Sequence, residues 1–138
     1  MDKVAFEIVS PEKLLASKDV EMVVVPGELG DFGVLPRHSP LISTVRPGVI
    51  SIYENRQVVE QIFVSGGFAE VTPVRCTVLA DEAMPLSEID VAAAERTAQD
   101  ARDDIRDAGD DAGRRAVAER RLAVAQAKID AVKRSSAH

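Results

Sequence analysis

One cysteine, Cys76, is the whole thiol content of 138 residues, so the protein has no intrachain disulfide and a reducing cytoplasm is expected. No apolar run approaches the roughly 18 residues of a membrane span. The opening stretch MDKVAFEIVSPEK carries acidic residues where a signal peptide would be apolar, so a soluble, unprocessed protein is expected. Histidine is nearly missing. Only His38 and His138 occur, neither beside Cys76 in sequence, and no spacing of His, Cys and acids matches a zinc site. The glycines of GELGDFG are not followed by the Gly-Lys-Ser/Thr of a phosphate loop. Asp103, Asp104, Asp107, Asp110 and Asp111 lack the glycine and terminal glutamate of a calcium loop and read as a solvated acidic helix end. These absences leave no catalytic residues, no metal and no cofactor to expect. A net charge of −6 weighs against general affinity for nucleic acid.

What is present changes character near Met84-Pro85-Leu86. Before that point lie the prolines, most of the glycines and every aromatic residue; after it alanine, arginine and aspartate dominate. In the first part short β-rich runs recur: VAFEIV (4–9), VEMVVVP (20–26), LISTV (41–45), VISIYE (49–54), QVVEQIFVSGG (57–67), FAEVT (68–72) and VRCTVLA (74–80). Turn residues separate them, which predicts an antiparallel β-sandwich over 1–84 with hairpin corners at Pro47-Gly48, Glu54-Asn55 and Thr72-Pro73. Cys76 alternates with Val74 and Val78 and is expected in the core. Ser65 to Gly67 predicts a bulge or a close approach of two strands.

Residues 85–138 carry a different period. Val91, Ala94, Ala98, Ala101, Ile105 and Ala108, then Ala118, Leu122, Ala125, Ile129 and Val132, recur at steps of about three and four, the pattern of an antiparallel α-helical hairpin. Ser87 and Asp90 suggest a capping box, and Gly109, Asp110, Asp111 and Gly113 the break. Six of the eleven seam positions are alanine, so the hairpin buries little and is expected to be marginally stable. Its arms attract each other. Residues 87–111 hold nine acids and three bases, whereas 112–138 hold seven bases and two acids.

The stretch PGELGDFGVLPRHSPLISTVRPGVI (26–50) is dense in glycine and proline. Gly27, Gly30 and Gly33 allow tight turns, and the residues before Pro36 and Pro40 are held extended. Asp31, Arg37 and His38 are therefore expected to project from one stiff surface loop at an end of the sandwich, either as a docking surface or as turn caps and corner fillers.

The blocks VVPGELGDFGVLPRHSPLISTVRPGVI, FVSGGFAEV and TVLADEA, in that order between Phe6 and Ala83, resemble the epsilon-subunit family of bacterial F-type ATP synthases. The resemblance implies a non-catalytic stalk subunit on the cytoplasmic face of the bacterial inner membrane, bound to the membrane only through its complex. It implies a sandwich that sits against the gamma subunit and rests on the c-subunit ring. Asp31, in a Gly-acid-hydrophobic-Gly motif, and His38, in Pro-X-His, match positions facing the polar loops of that ring. Ser10 matches a position beside gamma. The helical part matches a regulatory arm that restrains ATP hydrolysis, its bases Arg114, Arg115, Arg120, Arg121 and Lys128 facing an acidic surface of the catalytic beta subunits, with alpha beside them. ATP-binding relatives carry Ile/Leu-Asp-X-X-Arg-Ala at the start of the first helix. Here Ala93 replaces that arginine and Arg96 lies a turn further on in another register, so no ATP site is expected. A stand-alone protein-interaction module, or a nucleic-acid binder using the basic second helix, is the competing reading, although that helix lacks the aromatic side chains on which bases stack.

Overall fold

The computed structural model describes residues 2–12 and 14–136 and divides after Leu86 into two compact units. The first holds ten strands: β1 (Val4–Val9), β2 (Leu14–Val20), β3 (Met22–Gly27), β4 (Gly30–Val34), β5 (Leu41–Val45), β6 (Gly48–Glu54), β7 (Gln57–Val64), β8 (Gly67–Val71), β9 (Arg75–Ala80) and β10 (Ala83–Pro85). They follow one hydrogen-bonded path, β10-β7-β6-β3-β5-β8-β9-β1-β2, with β4 on β3. β3 and β5 meet only at Gly27 and Val45, so the path folds there into two five-stranded layers. Inward residues of both layers build one core: Val4, Phe6 and Ile8 from β1, Val23 and Val25 from β3, Ile50 and Ile52 from β6, Cys76 and Val78 from β9. Ion pairs Lys3–Glu54, at 3.4 Å, and Lys18–Glu60 link the layers at their rims.

The sandwich is as the alternating runs predict, with corrections of detail. Three strands escape the hydrophobic pattern. β2 is an edge strand interrupted by the exposed polar run Ser17-Lys18-Asp19, β4 contains two glycines, and β10 is three residues ending in proline. The VEMVVVP run breaks at Glu21 between β2 and β3. The β1–β9 pairing is parallel, although every other pair is antiparallel. Pro47-Gly48 is not a hairpin corner: β5 pairs with β8 and β6 with β7, so the backbone passes from one layer to the other there. The β6–β7 turn is at Asn55-Arg56, both at positive φ (53° and 64°), the backbone of a type I′ turn. Ser65 to Gly67 behaves as expected. Gly67 has φ 142°, and a Cβ there would lie 1.9 Å from the Leu79 carbonyl oxygen.

The second unit is a helical hairpin of α1 (Val91–Ala108) and α2 (Ala112–Ser136), preceded by a 3-10 turn over Leu86–Glu88. Asp90 alone caps α1, its side chain accepting from the Ala93 N–H at 3.1 Å, while Ser87 lies in the 3-10 turn. Gly109 at φ 56° ends α1, and Asp111 caps α2 by accepting from the Arg114 N–H at 3.0 Å. Gly113 is therefore inside the second helix rather than in the break. Of the predicted seam, Ala94, Ala98, Ala125 and Ile129 form one buried cluster with Leu122 packed on it. Val91, Ile105 and Val132 are only half-buried.

Candidate docking surfaces

The β3–β4 hairpin is built by its glycines. Gly27 pairs with Gly30, leaving Glu28-Leu29 as a two-residue turn. Gly30 takes φ 139°, and a Cβ on Gly27 would come within 2.7 Å of the Gly30 oxygen. Arg46 braces this tip: Nη1 donates to the Gly27 carbonyl and Nη2 to Asp31 Oδ1, the latter at 2.5 Å. The Glu28 N–H donates to Thr44 O at 3.0 Å and the Arg46 N–H to Pro26 O at 2.9 Å. At the summit the Leu29 side chain is fully exposed.

Asp31 and His38 do not share a loop. Asp31 is in β4, opposite Pro26 and ion-paired to Arg46, whereas His38 follows the far end of that strand. Leu35 to His38 form a turn closed by the His38 N–H on Leu35 O at 3.2 Å, with Pro36 presetting its first corner and Arg37 at φ 67° in its second. Arg37 donates its backbone N–H to Pro73 O at 2.7 Å, and its guanidinium pairs with Asp2 at 2.6 Å. His38 Nδ1 lies 2.6 Å from Ser39 O, so that nitrogen carries the proton and donates. Strand register fixes the separation: Leu41 pairs with Val71 at the His38 end, and Val45 with Gly67 at the tip end. Ser10 follows Val9, which pairs with Leu79 towards the tip end.

The Gly-acid-hydrophobic-Gly pattern occurs twice, overlapping at Gly30. The second copy, Gly30-Asp31-Phe32-Gly33, lies within β4 with Phe32 packed on the core; the first, Gly27-Glu28-Leu29-Gly30, forms the exposed tip. Sequence reasoning passed over Glu28, Leu29 and Arg46. Two glycines flanking a two-residue gap between β runs were the available signal for the first two, and nothing local marks Arg46.

A second surface covers the outside of the β5-β8-β9-β1-β2 layer. Across the register Thr44 faces Phe68, Phe68 faces Leu79, Leu79 faces Val9 and Val9 faces Leu14, with Ile42 two residues along β5. Ile42 is 73% exposed, and Phe68, Leu79 and Leu14 are each more than half exposed. The neighbouring row is polar: Thr77 donates to Glu7 at 3.0 Å and Arg75 pairs with Glu7 at 3.4 Å. An apolar stripe beside a satisfied polar row is the makeup of a binding face.

On the hairpin, Arg121 pairs with Asp104 of α1 at 2.8 Å, and Arg102 donates to Gln126 at 3.3 Å. Arg115 donates to the Gly109 carbonyl, which ties down the end of α1. Asp104, Gly113, Arg114, Val117, Ala118 and Arg121 line an open groove of about 350 Å³. Arg120 is exposed and Lys128 half-buried. Ala93 sits in the first turn of α1 with its N–H on Asp90, and Arg96 is exposed. Cys76 is fully buried, and burial pushes its thiol up to about 12. That value keeps it protonated and inert in the folded protein.

A sandwich with a rigid tip and an apolar outer face, followed by a thin-seamed helix pair, is the makeup of a protein-docking subunit. The family model for the β-sandwich domain of the ATP synthase delta/epsilon chain matches residues 3–86, and that for the C-terminal domain of the ATP synthase epsilon chain matches 90–138. The protein belongs to the ATP synthase epsilon chain family, a non-catalytic subunit of that complex. The epsilon chain of Rhodospirillum centenum is 57% identical over 136 residues, covering 95% of this chain and 92% of that one. The Rhodospirillum rubrum protein is 55% identical over 128 residues, covering 93% and 95%. One polypeptide in the cryo-EM structure of the Euglena gracilis mitochondrial ATP synthase superposes with a TM-score of 0.79 over 100% of this chain and 83% of its own, at 23% identity, and so shares the fold.

Proposed function

We propose that this protein is a rotor subunit of the central stalk of a proton-translocating ATP synthase, joining gamma and the c ring to the catalytic head from the cytoplasmic face of the bacterial inner membrane. The observation that carries the reading is the apolar stripe Ile42, Phe68, Leu79 and Leu14 on a layer whose own core is complete. Gamma is the partner for this stripe, with Ser10 beside it. The ring contact falls to the tip end, with Glu28 and Leu29 joined by Asp31, while His38 belongs to the opposite end of β4.

The hairpin is the regulatory arm. In this reading Arg114, Arg115, Arg120, Arg121 and Lys128 answer an acidic surface of the beta subunits when the arm leaves its closed form, and ATP hydrolysis is then restrained. ATP itself is not a ligand of the arm, because the first-turn position a guanidinium would hold is Ala93. Membrane association runs through the complex, and no helix among the described residues is long and apolar enough to cross a membrane. The experiment is co-purification of gamma with a variant bearing Phe68→Asp and Leu79→Asp. Both residues are exposed, so the variant keeps its fold and loses gamma; retention of gamma at wild-type yield sinks the proposal.

A further inference from the structure

The second helix changes character at Leu122. Of residues 112–121 only Ala118 is buried and the others are exposed, whereas from Leu122 to Val132 every residue except Ala123 is buried or half-buried. The seam divides at the same place. Its apolar cluster, Ala94, Ala98, Ala125 and Ile129 with Leu122 against it, lies wholly on the side away from the turn. On the turn side the buried residues are Ala101, Ala108 and Ala118, one methyl each, and the open groove runs past Val117, Ala118 and Arg121. The turn side is held by polar contacts instead. Arg121 pairs with Asp104 at 2.8 Å, both side chains more than two-fifths exposed, and Arg115 donates to the Gly109 carbonyl. At the boundary Arg102 donates across to Gln126 at 3.3 Å, and Gln126 donates on to Asp130 at 3.1 Å. Gly113, in the first turn of α2, lowers helix propensity on the turn side further.

We propose that residues 102–121 form a separate opening unit at the turn end of the hairpin, which comes apart while the apolar seam stays closed, and that its opening hands Arg115 and Arg121 to an acidic peptide surface. Local opening is cheapest where few apolar groups are buried and the remaining contacts face water. Holding the two ends of this segment at the seam does not prevent it, because loop-closure entropy grows only with the logarithm of length. Salt sets the balance, since the exposed Arg121–Asp104 pair is screened while the seam is not. The arm then responds to a charged partner in part rather than as a whole. The acidic partner rests on the reading of the hairpin as a regulatory arm; the opening itself does not.

The test is residue-resolved hydrogen exchange of the full chain at low and high salt. Amides of 104–108 and 116–121 should exchange about tenfold faster than those of 95–98 and 125–129. High salt should add about threefold on the turn side and nothing on the seam side. Arg121→Glu should speed turn-side exchange about threefold at low salt and less at high salt, with the seam side unmoved. Ile129→Ala is the control that should release both sides. Polyglutamate at low salt should raise turn-side rates further, because it selects the open form. One common rate on both sides, in wild type and in Arg121→Glu, would mean that the hairpin opens as a single unit. Turn-side rates indifferent to salt and to Arg121→Glu would reduce the effect to fraying of helix ends; either result overturns the opening unit. Rates unmoved by polyglutamate overturn the acidic partner. Exchange is read on the chain alone, so a failure of the stalk reading in the gamma co-purification leaves these outcomes standing, and the reverse.

Discussion

The sandwich and the hairpin solve the same problem, burial of an apolar face, with opposite margins. Phe6, Ile8, Ile50 and Ile52 disappear entirely into the sandwich, where each large side chain contributes about 1.5–3 kcal/mol. The hairpin seam offers three alanines and one isoleucine at its centre, with Leu122 half-buried beside them. An alanine methyl gives a fraction of what a leucine side chain gives, so the second unit leans on caps and charge. The difference suits the proposed roles: a part that transmits torque must be stiff, and an arm that changes form must sit within reach of a modest binding energy.

Five measurements break or sharpen this contrast. Gly67→Ala should be the most damaging, at about 4 kcal/mol or more, because its Cβ would overlap the Leu79 carbonyl and its φ excludes a side chain. Urea denaturation followed by near-ultraviolet signals of Tyr53 reads it; a midpoint unmoved from wild type would show that β8 and β9 separate at little cost. Ile50→Ala should cost about 3 kcal/mol, while Ile129→Ala should melt the hairpin outright and leave the sandwich folded. Loss of helical circular dichroism with an unchanged sandwich transition is the expected pattern; equal effects on both units would erase the contrast.

Cys76 provides a pH test confined to the sandwich. Its folded thiol is raised from 9.0 to about 12, so the folded state holds a proton that the unfolded state releases above about pH 9. Stability from this group is intact below that point and falls by about 1.4 kcal/mol per unit as pH rises towards 12. Cys76→Ala should remove that slope, and a slope that survives in the variant refutes the assignment. Arg37→Gly should stabilise the sandwich by about 0.5–1 kcal/mol, since relief of a left-handed φ outweighs an exposed ion pair to Asp2. A lower thermal midpoint would mean that the pair matters more than the backbone. Smallest is Arg121→Glu, which sets a like charge against Asp104 and should weaken the hairpin by about 0.5 kcal/mol at low salt and less at high salt. A salt-independent effect would move the cause from charge to packing.

The two architectures were legible from period alone, because alternation of two and recurrence of 3.6 residues are local consequences of backbone geometry. The alanine seam, the opposed charges of the two arms and the burial of Cys76 were legible for the same reason. Strands without that signature were not: β4 and β10 are strands because β3 and β7 offer them hydrogen bonds, whatever their own composition. The sequence also contains two overlapping Gly-acid-hydrophobic-Gly motifs and cannot rank them. Ranking requires knowing that Phe32 lies within a paired strand and reaches the core while Leu29 falls in the turn, a matter of where the chain reverses to pair β4 with β3. The separation of Asp31 from His38, the grip of Arg46 on the tip and the outward stripe joining Phe68 to Leu79 and Val9 depend on partners 11 to 70 residues away. Local physics set the type of every segment with a clear period, while tertiary pairing made strands of the rest and, through register, set which side chains became surface.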